Sequence, residues 1–129
     1  MLDVSETLTI TQVAVHLGMD PDTLRYYERH GVVPAPPRDH AGHRSYQPGD
    51  VHLLEVLMHL KDTGMPLAQI AQFTAWVAQD PDGVPERLAL LQEHRTHVID
   101  QITTWQHSLD VIDQKIRDYT QRLATHQSH

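Results

Sequence analysis

Apolar positions follow two rhythms along this chain. The first half holds short helical sets. Val13, Ala14 and Leu17 lie three, four and seven places after Ile10, which predicts a helix with one apolar face, capped by Thr11 and stopped by Gly18. A second helix follows Met19. Asp20 can accept from its first free amides, Pro21 sits where an amide would be orphaned anyway, and Gly31 supplies a left-handed stop. A third is expected from Val51 to Thr63, capped by Asp50, with Leu53, Leu54, Leu57 and Leu60 on its inner face and Gly64 at its end. Pro66 opens a fourth, from Leu67 to about Val77, with Ile70, Phe73, Trp76 and Val77 free to pack. Between the second and third helices, residues 32–37 are too rich in proline for a helix interior. Arg38 to Tyr46 reads as a hairpin turning at Ala41-Gly42 with basic side chains on both arms, and Leu8-Thr9-Ile10 leans towards a strand able to pair with it.

The second rhythm begins at Glu86 and runs to about Gln127 without proline or glycine. Leu88, Leu91, Arg95, Val98, Ile102, Trp105, Leu109, Ile112, Ile116, Tyr119 and Leu123 alternate steps of three and four, a heptad seam in which only Arg95 is charged. About forty residues at 1.5 Å each make a rod of roughly 60 Å. One rod cannot bury such a seam, so a partner helix is required, and a second copy of the chain is the expected one. Gln79 to Pro85 is the one stretch that reads as a linker. The chain therefore divides into a helical domain with a hairpin over 1–78, a linker over 79–85, and a long dimerisation helix with a short tail over 86–129.

Composition narrows the function. The 129 residues suit a small domain plus one long helix, and no run of eighteen apolar residues points to a membrane span. The first six residues lack the pattern of a signal peptide, and there is no Cys, hence no disulfide, thiolate metal site or thiol redox switch. A cytoplasmic protein is expected. Residues 1–78 carry five Lys or Arg against nine Asp or Glu, a net −4, and the remainder five against eight, a net −3. Yet Arg25, Arg29, Arg38 and Arg44 face only Glu28 and Asp39 between Thr23 and Tyr46, a local +2. Where charge sits decides nucleic-acid affinity, so this balance argues against a coating protein and permits a site-specific binder. His94 and His97, like His126 and His129, are three apart on one face, but zinc needs further ligands, and solvated histidines are the favoured reading. No phosphate loop, nucleophile elbow or carboxylate pair suggests an enzyme, and neither a metal nor a cofactor is implied.

The densest chemistry lies in Thr23-Leu-Arg-Tyr-Tyr-Glu28, followed by Gly31, Arg38, Gly42, Arg44 and Tyr46. With Ile10-Thr-Gln-Val-Ala before it and Leu60-Lys-Asp-Thr-Gly64 after, this resembles the signature of the MerR family of bacterial transcription regulators, over roughly residues 8 to 75. His43 stands where the family usually has Tyr, and Lys61 at a common Arg place. The resemblance implies a mainly α fold, a winged helix-turn-helix followed by a coiled-coil helix that pairs antiparallel with its copy. It also implies a homodimer that binds double-stranded promoter DNA, distorts the spacer and acts on RNA polymerase. The DNA contacts it implies are Thr23, Arg25, Tyr26, Arg38, His43, Arg44, Tyr46 and Lys61. The bland alternatives are a surface ion pair of Arg25 with Glu28 or Asp22, a solvated Arg44, and a Lys61 that merely favours a helix dipole. Only one of Tyr26 and Tyr27 can be an exposed reader, and Tyr26 is the expected one. The seam from Leu88 to Tyr119 would be the dimer interface. The rival function is a coiled-coil interaction module with a vestigial winged domain. Few residues follow the long helix, so no separate ligand domain is expected, and either a signal enters a pocket near Phe73, Trp76, Trp105 and Tyr119 or there is no small-molecule signal.

Overall fold

The computed structural model describes residues 7–127. Five helices follow one another: α1 (Ile10–Leu17), α2 (Pro21–Arg29), α3 (Pro48–Asp62), α4 (Leu67–Ala78) and α5 (Val84–Gln127). The chain divides between Leu90 and Leu91, inside α5, into two compact units.

In the first unit the apolar faces of α1 to α4 meet in one core. Val13, Leu24, Leu54, Leu57 and Ile70 are at most 1% exposed, and Val32, Val33 and Phe73 close around them. Thr74 on α4 donates to the Val32 carbonyl at 2.6 Å, so the segment leaving α2 is tied to α4 by a buried bond. The hairpin is present as two isolated antiparallel bridges, Arg38 with Arg44 and Leu8 with Tyr46. The second bridge exchanges both backbone bonds at 2.9 Å, the pairing that the β-leaning start of the chain predicts.

Two caps differ from expectation. Thr9, not Thr11, caps α1: its hydroxyl accepts from Gln12 N at 3.2 Å while the Gln12 side chain accepts from Thr9 N at 2.9 Å. Such a reciprocal box satisfies two orphan amides, which Thr11 with Ala14 three places on cannot match. Helix α3 starts at Pro48, the first-turn place that suits proline, and Asp50 lies inside it, accepting from Gln47 N at 2.9 Å.

The segment after α4 is a series of turns with Gly83 pressed on Trp76: a Cβ added there would lie 2.3 Å from the Trp76 carbonyl oxygen. Arg87 bonds Asp80 across this turn. Helix α5 begins at Val84, two residues before the expected Glu86, with Pro85 in its first turn. Its 44 residues are about 66 Å long at 1.5 Å each. None of them is buried. No helix among the described residues is long and apolar enough to cross a membrane.

Candidate nucleic-acid interface

Helix α2 carries the first half of the site. Asp20 accepts from Asp22 N at 2.8 Å and Pro21 opens the helix, so its free amides are capped from within. Helical spacing then sends Leu24 and Tyr27 inward and leaves Arg25 and Tyr26 outward, with Thr23 half-buried between them. Arg25 Nη1 meets Asp22 Oδ1 at 2.8 Å; of the two carboxylates open to it by sequence, Asp22 is the partner. A pair this exposed is worth little in water, so a phosphate or base edge can displace it cheaply. The Tyr26 ring stacks on His30 at 4.1 Å, and His30 Nδ1 donates to the Tyr26 carbonyl at 2.8 Å. Sequence reasoning gave His30 no role; the signal was its place four residues after Tyr26, where helical side chains meet.

The wing supplies the second half. Gly42 adopts φ +84°, a left-handed turn position where a Cβ would be strained. Asp39 organises the tip: its Oδ1 accepts from Ala41 N and His43 N, each at 2.9 Å, and the His43 bond above all holds its carboxyl below the usual range. Arg38 folds across the turn, Nη1 on the Gly42 carbonyl at 2.7 Å. His43 is open to solvent, its Nδ1 3.8 Å from Asp39. Arg44, on the second arm, reaches back to α2 and binds Glu28. Lys61, in the last turn of α3, lies 3.8 Å from Asp62 and 5.9 Å from the centre of the Tyr27 ring. Arg29 makes no ion pair among the described residues. Helix α2, the wing and the end of α3 thus carry cations and aromatic rings whose intramolecular partners are mostly weak.

Residues 8–75 match the profile described as MerR HTH family regulatory protein. The chain belongs to the MerR family. Similar transcriptional regulators cover most of its length. An uncharacterized HTH-type transcriptional regulator of Haemophilus influenzae is 32% identical over 118 residues, 92% of this chain and 87% of that one. The HTH-type transcriptional regulator YfmP of Bacillus subtilis is 34% identical, over 88% of this chain and 84% of its own. Among solved structures, HiNmlR, a MerR family regulator lacking the sensor domain and bound to promoter DNA, superposes with a TM-score of 0.81 at 32% identity, over 92% of this chain and 94% of that chain. A MerR family protein from Listeria monocytogenes gives 0.84 at 26% identity, over 94% and 92%.

Within this MerR chain, exposure bears on two of the expected roles. Tyr46, expected among the DNA contacts, is only 2% exposed: its ring belongs to the core, which leaves it little surface for a phosphate. Burial, then the charge of Glu28, pushes that hydroxyl up to about 12. The expected effector residues are unlike one another: Phe73 is buried and Trp76 half-buried, whereas Trp105 and Tyr119 are 79% and 54% exposed. An apolar groove of ≈ 610 Å³ on the winged domain is lined instead by Val33, Pro34, Leu53, Ala71 and Val77, and by none of those four. The His94 and His97 rings are 6.0 Å apart, but Gln101 donates to His97 Nε2 at 2.9 Å. His129 lies outside the described residues.

Proposed function

We propose that this regulator acts as a homodimer on an inverted-repeat operator inside a promoter spacer, each copy placing α2 in the major groove and its wing on the flanking phosphates. The observation that carries the reading is the uncovered seam of α5. Ile102, Trp105, Leu109, Ile112, Ile116 and Tyr119 are each about half exposed or more on a single chain, and about 66 Å of helix with one apolar stripe has no stable state in water unless that stripe is covered. A second α5 running antiparallel presents the same stripe and closes the pair with twofold symmetry, which matches an inverted repeat. The likeness to HiNmlR, whose structure holds promoter DNA, supports the DNA partner.

Arg25, Tyr26 and Thr23 face the groove, Arg38, His43 and Arg44 the backbone beside it, and Lys61 adds a cation from α3. Two such heads on a stiff connection pull on one face of the duplex. Bending a site of 20–30 base pairs takes on the order of 1–6 kcal/mol, within reach of a few charge-assisted phosphate contacts per head. The distorted spacer realigns the promoter elements for RNA polymerase. With no Cys in the sequence, thiol chemistry does not carry the signal.

Gel shifts on the promoter region of the chain's own gene, repeated from low to high salt, test the reading. Binding should favour that duplex over a random one and fall linearly on a log–log salt plot. Salt-insensitive binding, or none, would instead fit an interaction module whose winged domain no longer works.

A further inference from the structure

Arg44 does not stand free on the wing. Its Nε donates to Glu28 Oε2 at 2.5 Å, and the two side chains keep only 19% and 12% of their exposure. Glu28 sits in the last turn of α2, where the helix carries partial negative charge and disfavours a carboxylate. What holds the carboxylate there is the guanidinium from the wing.

Within the wing Asp39 and Arg38 hold the turn, while the arms share the one bridge Arg38–Arg44, and a two-stranded hairpin of this size is marginal in water. The Leu8–Tyr46 bridge fixes the backbone of the second arm but leaves the long Arg44 side chain its rotamers. Binding Nε removes that freedom, and the planar fork then presents its two terminal nitrogens in a fixed direction. Among the described residues the Arg44 side chain makes no other hydrogen bond or ion pair, and the charges of the pair are felt at the Tyr46 hydroxyl beside it.

We propose that Glu28 is a positioning residue of the DNA interface: it grips Arg44 through Nε, aims the two terminal nitrogens at a phosphate and sets the wing against α2. The proposal rests on the DNA-binding reading above and carries a distinctive sign. Deleting a negative charge from a DNA-binding protein should tighten binding if charge alone matters. If Glu28 acts through Arg44, its deletion weakens binding.

The test is a double-mutant cycle with wild type, Glu28→Gln, Arg44→Ala and the double variant. Each is titrated by fluorescence anisotropy against a labelled duplex of the chain's own promoter region and a random duplex of equal length, at several salt concentrations. Glu28→Gln should weaken promoter binding on the order of tenfold and flatten the salt slope by about one, as Arg44→Ala does. In the Arg44→Ala background, Glu28→Gln should cause no further loss. Glu28→Asp, which keeps the charge but withdraws the carboxylate by one methylene, should fall between wild type and Glu28→Gln, and circular dichroism at the assay temperature checks that each variant is folded. Binding by Glu28→Gln as tight as wild type, or tighter, overturns the positioning role and leaves DNA binding standing. Equal losses in both backgrounds overturn it too, since Glu28 would then act independently of Arg44. A wild-type chain that binds neither duplex overturns both readings.

Discussion

Tyr26 and Tyr27 are neighbours in sequence with 47% and 9% exposure, because the 100° step of a helix turns one ring to solvent and the next into the core. Arg25, one step the other way, stays reachable. If it touches a base edge, Arg25→Ala should lose more affinity for the operator than for random DNA, by about 1–3 kcal/mol, read from paired titrations. Equal losses on both would make it a phosphate contact. Tyr46 calls for a different measurement. Its hydroxyl is raised from 10.0 to about 12 in the folded chain, so the folded form holds the proton more tightly than the unfolded one. The resulting stability is whole below pH 10.0 and declines as pH rises from there towards about 12. Urea midpoints should therefore drop less for Tyr46→Phe than for wild type between about pH 9 and about pH 11. The Arg25 side of the site was legible from spacing, but its partner was not: Asp22 and Glu28 both lie three residues from it. The choice depends on Arg44, sixteen positions beyond Glu28 in sequence, which occupies that carboxylate first. The burial of Tyr46 was hidden for a similar reason, since alternation on a hairpin arm cannot say which face a core lies under.

Element by element, periodicity did most of the work. Five helices and a hairpin follow from apolar spacing, glycine stops and prolines, and the errors fall at helix starts, where two capable caps compete. Gln12 three places after Thr9 was a readable sign for the true start of α1; Asp50 was expected as the cap of α3, which instead opens at Pro48. The long helix was plain from its unbroken seam, whereas its partner is a matter for experiment. Leu109, 49% exposed on one chain, should lie in a dry layer of the pair. Leu109→Asp puts a charge there, at a cost on the order of several kcal/mol, so the variant should sediment as a monomer, keep much of its helicity and lose operator binding. A Leu109→Asp monomer that still grips the full operator with wild-type affinity would sink the dimer mechanism.

At the scale of the whole molecule, a chain of net charge −7 approaches a polyanion. Five of its ten Lys and Arg lie on α2, the wing and the end of α3, the rest on α5, so general attraction is weak and selectivity depends on a few well-placed contacts. The uncovered stripe of α5 then has a consequence for the cell rather than for the protein. Where two chains must meet before either can hold both half-sites, occupancy of the operator at low abundance rises with the square of the chain's concentration. Halving the chain's concentration would cut occupancy about fourfold rather than twofold. A gene under such control answers to a threshold of dosage, and a reporter titrated with graded expression of this regulator should trace a sigmoid that Leu109→Asp abolishes.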